Sequence, residues 1–168
     1  EVSVAMLTAT GVDGASLAQA TEGLDLLEIP YSSGSDANSA LVGGHCDLYV
    51  CGWDDIAGLV ESGDIVPILA LCENRMSIAP DLQCSVENGI DSVMGPWRGI
   101  FAKKGTPQEA IDTLVAAIEE AKQSDTWKEF THNAAYDERP IPAPGEETAE
   151  FCHNEYKDLH DYMVEQGT

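Results

Sequence analysis

The stretch IPYSSGSDANSALVGGHCDLYVCG, residues 29–52, decides how this chain is read. An apolar run ends at Pro30-Tyr31, and four small residues, Ser32-Ser33-Gly34-Ser35, follow at once. Ala37, Ala40 and Leu41 then repeat at i, i+3, i+4, which predicts a short helix capped by Ser35 or Asp36. Gly43-Gly44 closes that helix with the positive φ that a helix end favours. Asp47 to Cys51 is apolar again and reads as a strand. A strand, a turn of bare peptide groups and hydroxyls, a helix and a second strand make one β-α-β unit.

The same rhythm extends both ways. Upstream, Val2 to Leu7 reads as a strand, TATGVDGAS (residues 8–16) as a turn-rich junction, residues 14–22 as a helix and Leu24 to Ile29 as a strand. Downstream, Asp54 or Asp55 opens a helix with Ile56, Leu59 and Val60 on one face, stopped at Gly63. Ile65 to Leu71 then reads as a buried strand. The order β-α-β-α-β-α-β predicts an α/β lobe with an open, mostly parallel sheet. Residues 72–96 lose the rhythm and read as a surface loop with one short helix at 84–88.

The tail begins with a strand, Trp97 to Phe101. Thr106-Pro107-Gln108-Glu109 is a helix start, with Thr106 as N-cap and Ile111, Leu114, Val115 and Ile118 as its apolar stripe. Further helices are predicted over 124–133 and 146–165, the last two joined by a proline-rich connector, residues 139–147. One strand cannot make a sheet. Residues 1–97 are therefore expected to form a complete lobe, and residues 98–168 the returning part of a second, incomplete one. The apolar stripes of the tail are expected to pair with missing chain or with a second copy, giving a homodimer.

Composition excludes several classes. Thirty acidic residues face eight basic ones, for a formal charge of −22. Nucleic acid is an unsuitable partner, because phosphate binding needs clustered Lys and Arg. An anionic small ligand stays possible, because backbone dipoles override net charge at short range. No apolar run reaches the ~18 residues of a membrane helix. A signal-peptide pattern is absent or already removed, and the start at Glu1 directly into a strand suggests a fragment. Of the five cysteines, Cys46 and Cys51 point to opposite faces of one strand. Cys72 and Cys84 flank a loop and can form a disulfide if the compartment is oxidising. Buried apolar thiols suit the set better than a metal site, since no CxxC occurs.

Three βα junctions carry the chemistry: residues 8–16, 31–36 and 51–55. In a parallel sheet they share the carboxyl edge, where ligands of open α/β sheets sit. Helix starts expose free N–H groups and a partial positive charge, a seat for carboxylate or phosphate without Lys or Arg. Catalytic readings have little behind them. Ser16, His45 and Asp47 are hydrolase ingredients without a GxSxG elbow. GVDG at 11–14 lacks the rest of a nucleotide loop. His153 and His160 lie on one helix face with Lys157, a solvated face more than a metal site. Trp53 and Trp97 are candidates for a cleft wall, with the core the better place for Trp97 and helix packing for Trp127. Arg98 is the one cation near the hinge, with a surface ion pair its ordinary role.

A family resemblance adds to this. IPYSSGSDANSALVGGHCDLYV resembles the V-P-Y-x-G-x-x-x-A-x-x-A-L-x-G-G-x-V-D signature of the substrate-binding proteins of tripartite tricarboxylate transporters, the Bug (TctC-like) family. TATGVDGAS is similar to that family's S-S-G-x-G-S/T loop, and IVPILAL to a strand that often reads L-R-A-L-A-V. SIAPDLQCSVENGI resembles L-P-D-V-P-T-x-x-E-x-G, and WRGIFA with GTPQEAIDTLVAAIEEA resembles W-x-G-x-x-A-P-x-G-T-P and its helix.

The resemblance implies a periplasmic-binding-protein-like (type II-like) clamshell, not an enzyme, and no cofactor. It implies a periplasmic or membrane-anchored extracellular receptor that captures a small organic acid and delivers it to integral-membrane transporter subunits. It also implies that the other lobe's first half lies upstream of Glu1. Carried onto this chain, it places Thr8, Thr10, Gly11, Asp13, Gly14 and Ser16 near a ligand carboxylate, then Ser33, Gly34 and Ser35, with Tyr31 packing beside them. Gly52, Trp53 and Asp54 form the cleft wall. Two departures matter. Ser32-Ser33 replaces Lys-Gly and removes a cation. Asp13 beside an anion seat repels a carboxylate unless it caps the helix or meets a ligand amine. A ligand-responsive sensor built on the same lobe is the alternative function, and a nucleotide-dependent enzyme the third.

Overall fold

A computed structural model describes residues 2–8, 11–93, 95, 97–137 and 142–165. Three parallel strands form the sheet: β1 (Val2–Met6), β2 (Leu26–Pro30) and β3 (Leu48–Tyr49), in the order β2-β1-β3. β1 pairs with β2 from Val2↔Leu26 to Met6↔Pro30 and with β3 at Val4↔Leu48 and Ala5↔Tyr49. Helices α1 (Val12–Ala20), α2 (Gly34–Val42) and α3 (Trp53–Ser62) follow the three strands in turn.

The strand order has a consequence for layers. The chain steps from β1 to one neighbour, then crosses back to the other side of β1. Right-handed crossovers then put α1 and α2 on opposite faces of the sheet. Alternation along β1 fits this. Val4 and Met6, both without exposed surface, meet Leu17 of α1 together with Leu26, Leu48 and Val50. Ala5, pointing the other way, meets Ala37 and Ala40 of α2 and Cys46. Period-two patterning in VSVAM thus supplies both cores.

Helix ends follow local chemistry. Ser33, not Ser35 or Asp36, caps α2: its Oγ accepts from Asp36 N–H at 3.2 Å. An N-cap needs extended backbone, and Ser33 has it, at φ −151° and ψ 157°. Gly44 supplies the positive φ after α2, at +69°. Gly63, in the left-handed region at φ +79°, stops α3. The tail holds α4 (Gln108–Ala121), α5 (Asp125–Asn133) and α6 (Glu146–Glu165). Pro107 takes the N-cap place of α4, while Thr106 Oγ1 donates to Lys103 O at 2.8 Å. Ser124 caps α5.

Two predicted strands do not form. Ile65 to Leu71 joins no sheet; Ala70 makes only an isolated parallel bridge with Cys84. Val66 and Ile68 are 80% and 69% exposed, so the apolar run is not covered. Pro67 lacks the N–H a ladder needs, and β3 offers a template of only two residues. Trp97 to Phe101 is likewise outside any ladder. Trp97 instead packs edge-on against Phe151 of α6, with ring centroids 5.5 Å apart, and at 6.1 Å from Phe101. The short helix expected at 84–88 is a 3-10 turn, Val86–Asn88. Part of the proline-rich connector, residues 139–141, lies outside the described residues.

The loop before the tail is stitched to α1 by two buried serines. Ser85 Oγ donates to Ser92 O at 2.6 Å and lies 3.1 Å from Cys72 O, and Ser92 Oγ donates to Ser16 O at 3.0 Å. Ser85→Ala leaves a buried carbonyl without its donor, so a loss of about 1–3 kcal/mol is expected in urea unfolding. Cys72 and Cys84 are not joined. Their Sγ atoms lie 3.0 Å from Asn74 O and 3.5 Å from Glu73 O.

Candidate site at the carboxyl edge of the sheet

The order β2-β1-β3 reverses direction between β1 and β3. At such a switch point the loops leaving the two strands run to opposite faces and open a crevice at their carboxyl ends. The starts of α1, α2 and α3 all lie along this edge, because each helix directly follows its strand. The N-caps are Gly11, Ser33 and Gly52. First-turn N–H groups have no acceptor inside their own helix, so the edge gathers donors and the positive ends of three helix dipoles.

Glycine keeps the peptide groups approachable. A Cβ on Gly11 would collide with Thr8 Oγ1. One on Gly34 would stand 3.3 Å from Asp55 Oδ1 and 3.5 Å from Tyr49 Oη, and one on Gly52 2.6 Å from Asp54 Oδ1. These contacts also show which groups meet. Gly34 at the head of α2, Tyr49 at the end of β3 and Asp55 in the first turn of α3 are neighbours. Asn38 of α2 joins them, its Nδ2 donating to Asp55 O at 2.9 Å.

The expected residues divide. Thr8, Gly11, Asp13, Ser33, Gly34, Ser35, Gly52, Trp53 and Asp54 stand at or beside the three helix starts. Thr10 lies outside the described residues. Gly14 is buried in the first turn of α1, its carbonyl accepting from Tyr162 Oη of α6 at 3.3 Å. Ser16 is buried one turn deeper, its Oγ donating to Val12 O at 2.8 Å, so its hydroxyl serves the helix interior. Tyr31 packs with the α2 face of the sheet. Tyr49, Asn38 and Asp55 were not among the expected set. The Asp54-Asp55 doublet was the only signal for Asp55, and nothing in sequence spacing brings Tyr49 to Gly34.

Acidic groups dominate the electrostatics. Burial pushes the Asp13 carboxyl up, opposed by the Leu7 N–H that donates to it and reinforced by the charge of Asp55. Burial and then Asp54 raise Asp55, against the pull of Arg98 and a hydrogen bond from Gly52 N–H. Cys51 is held up at about 12, first by burial, then by Asp55, Asp13 and Asp54. The same causes, with Cys51 added, raise Tyr49 and keep its hydroxyl neutral. An acid whose folded pKa exceeds its unfolded value stabilises the fold below the unfolded pKa, and that stability is lost as pH rises through the folded one. Asp13→Asn is therefore expected to be more stable than the natural protein at pH 7, where the carboxyl is otherwise charged against its surroundings. Its stability should also fall less than that of the natural protein between about pH 4 and 7. Thermal melts across that range check the sign.

A hollow of about 620 Å³ lies elsewhere, at the far end of α1, between Gln19, Glu22, Glu155, Asp158, Tyr162 and Glu165. Its lining is a run of carboxylates. Among the described residues no group of three His, Cys, Asp or Glu side chains is arranged to hold a metal. Arg98 makes no ion pair within the described residues; its Nη1 donates to Trp97 O at 3.4 Å.

Comparison with known proteins fixes the family. The sequence matches the family described as the tripartite tricarboxylate transporter family receptor over residues 3–165. The chain belongs to that family. It is a receptor family, a binding role and not a catalytic one. A UPF0065 protein of Bordetella pertussis is 29% identical over 112 residues, 66% of this chain and 35% of its own length. MatC from Rhodopseudomonas palustris, solved with bound malate, superposes with a TM-score of 0.72 at 22% identity, covering 96% of this chain and 56% of that one. Another R. palustris protein, solved with adipate, gives 0.77 at 19% identity, covering 98% and 56%. These two show the fold alone, an α/β architecture with a parallel sheet. The chain spans about a third of the curated relative and just over half of each solved chain. Nothing in the comparisons supports a pairing of two copies. No helix among the described residues is long and apolar enough to cross a membrane.

Proposed function

We propose that the carboxyl edge of the β2-β1-β3 sheet is one wall of a site for a small organic acid. In the intact protein that site serves an extracytoplasmic receptor, working in the periplasm and handing the acid to membrane transporter subunits. One observation carries this reading: three helix starts stand along one carboxyl edge of the sheet, beside its switch point, where peptide N–H groups can take the place of side-chain cations. Membership of a receptor family supports it, as do related structures holding malate and adipate. Gly11, Ser33, Gly34, Gly52 and Trp53 are the contacts proposed for the acid.

Trp53 is the natural reporter, at the first position of α3. Titration of the intact protein with malate, succinate or adipate is expected to change tryptophan emission, and Trp53→Phe to abolish the change. Calorimetry showing no binding of any small mono- or dicarboxylic acid would sink the reading.

A further inference from the structure

The loop between the sheet lobe and the tail carries two thiols that the acid-binding reading does not use. Cys72 is half-buried and Cys84 is 1% exposed. Their backbones lie side by side. Ala70 O accepts from Cys72 N–H at 3.1 Å and from Ser85 N–H at 2.8 Å, and Ser85 Oγ lies 3.1 Å from Cys72 O. Ala70 and Cys84 also form the isolated parallel bridge. Backbones bonded in this way stand about 4.8 Å apart, inside the about 4.4–6.8 Å between Cα atoms that a disulfide spans. Both sulfurs rest on one turn of chain: Cys84 Sγ lies 3.5 Å from Glu73 O, and Cys72 Sγ lies 3.0 Å from Asn74 O.

The surroundings of Cys84 suit removal of its proton. The Glu87 carboxylate accepts the Cys84 N–H at 3.0 Å and faces its thiol. Arg75 holds that carboxylate through two contacts, at 2.8 and 2.9 Å. A carboxylate can take up the thiol proton, and the guanidinium offsets the charge left behind. Two of the other thiols compete poorly, because the thiolate is the reacting form. Burial above all holds Cys46 and Cys51 up, Cys51 at about 12.

We propose that Cys72 and Cys84 are a disulfide site, closed by a disulfide-bearing oxidant after a rotation of the Cys72 side chain. The Cys72 thiolate attacks one sulfur of the oxidant RSSR, forming Cys72–S–S–R and releasing RS⁻. The Cys84 thiolate then attacks Cys72 Sγ, displaces the second RS⁻ and makes the Sγ–Sγ bond. The two thiol protons end on the two RS⁻ groups; the cysteines lose two electrons and RSSR gains them. Closure restricts the unfolded chain and so favours the fold. It also fixes Ser85, which binds Ser92 and through it the Ser16 carbonyl of α1. That the bond forms in the working protein rests on the extracytoplasmic reading above, since such compartments are oxidising. That it forms on contact with an oxidant does not.

Oxidised glutathione, added to the reduced intact protein, is the test. Remaining thiols are blocked under denaturing conditions and the chain is cut at Arg75, which parts Cys72 from Cys84. A pair of peptides joined through Cys84 is expected, two hydrogens lighter than its reduced halves and absent from both Cys72→Ser and Cys84→Ala. The oxidised protein is expected to melt about 5 °C or more above the reduced one, and Cys72→Ser to melt alike in both states. Cys72→Ser alters a half-buried position and carries the comparison if Cys84→Ala does not fold. Cys84 left as a free thiol, or joined to glutathione or to a different cysteine, overturns the proposal. So does a Cys72–Cys84 bond that leaves the melting temperature unchanged. Titration with organic acids tests the receptor reading separately, and neither result decides the other.

Discussion

Met6→Ala destabilises the protein by about 3 kcal/mol, the largest stability effect expected of any single truncation here. Met6 has no exposed surface and lies in the central strand, in the cluster of Val4 and Leu17 with Leu26, Leu48 and Val50. Both sheet neighbours and α1 close around that cluster, so little can collapse into the space left behind. A cavity term then adds to the lost transfer energy. For a domain whose whole stability is about 5–15 kcal/mol, that loss is a large share. Urea unfolding measures it; a change under about 1 kcal/mol would mean that the β1–α1 layer is loosely packed. Val2, 43% exposed on the same strand, is the control, where truncation should fall near the surface range of about 0.5 kcal/mol.

Gly34→Val acts on binding instead of folding. A Cβ at Gly34 already stands 3.3 Å from Asp55 Oδ1 and 3.5 Å from Tyr49 Oη, and two further methyl groups fill the space between α2, β3 and α3. The backbone there is helical, so the substitution brings no left-handed strain. Ligand affinity is expected to fall about 100-fold, or about 2.7 kcal/mol, while the melting temperature moves by a few degrees at most. Retained affinity would move the site away from the head of α2.

Much of this was legible in the sequence, for physical reasons that differ by element. β1, β2 and the helices after them were plain because apolar periodicity and turn residues agree locally. The quoted stretch was the clearest, with small residues before Ala37 and Ala40 and glycines after. The boundaries were less so: Ser33 caps α2 two residues ahead of the expected start, because φ and ψ, not residue type alone, select a cap. Ile65–Leu71 misled because an apolar run states an appetite for burial and not the presence of a partner strand. In the candidate site, the glycine and serine turns announced themselves through composition. The group of Asn38, Tyr49 and Asp55 did not, since the β2-β1-β3 order that assembles it is a long-range choice. Asp13 stood out in sequence as a departure from its family's loop, and its charged neighbours appear only in three dimensions.

The alanine seat beneath α2 has a use beyond packing. Ala5, Ala37 and Ala40 meet at the centre of the contact between that helix and the sheet, with Cys46 beside them. Its standoff at that point is set by alanine methyl groups. One added methylene at Ala37 would shim the whole rod outward and displace its amino end, Ser33 and Gly34 included. Grip on the proposed guest would then be adjustable from the rear of the wall, by residues that do not touch it.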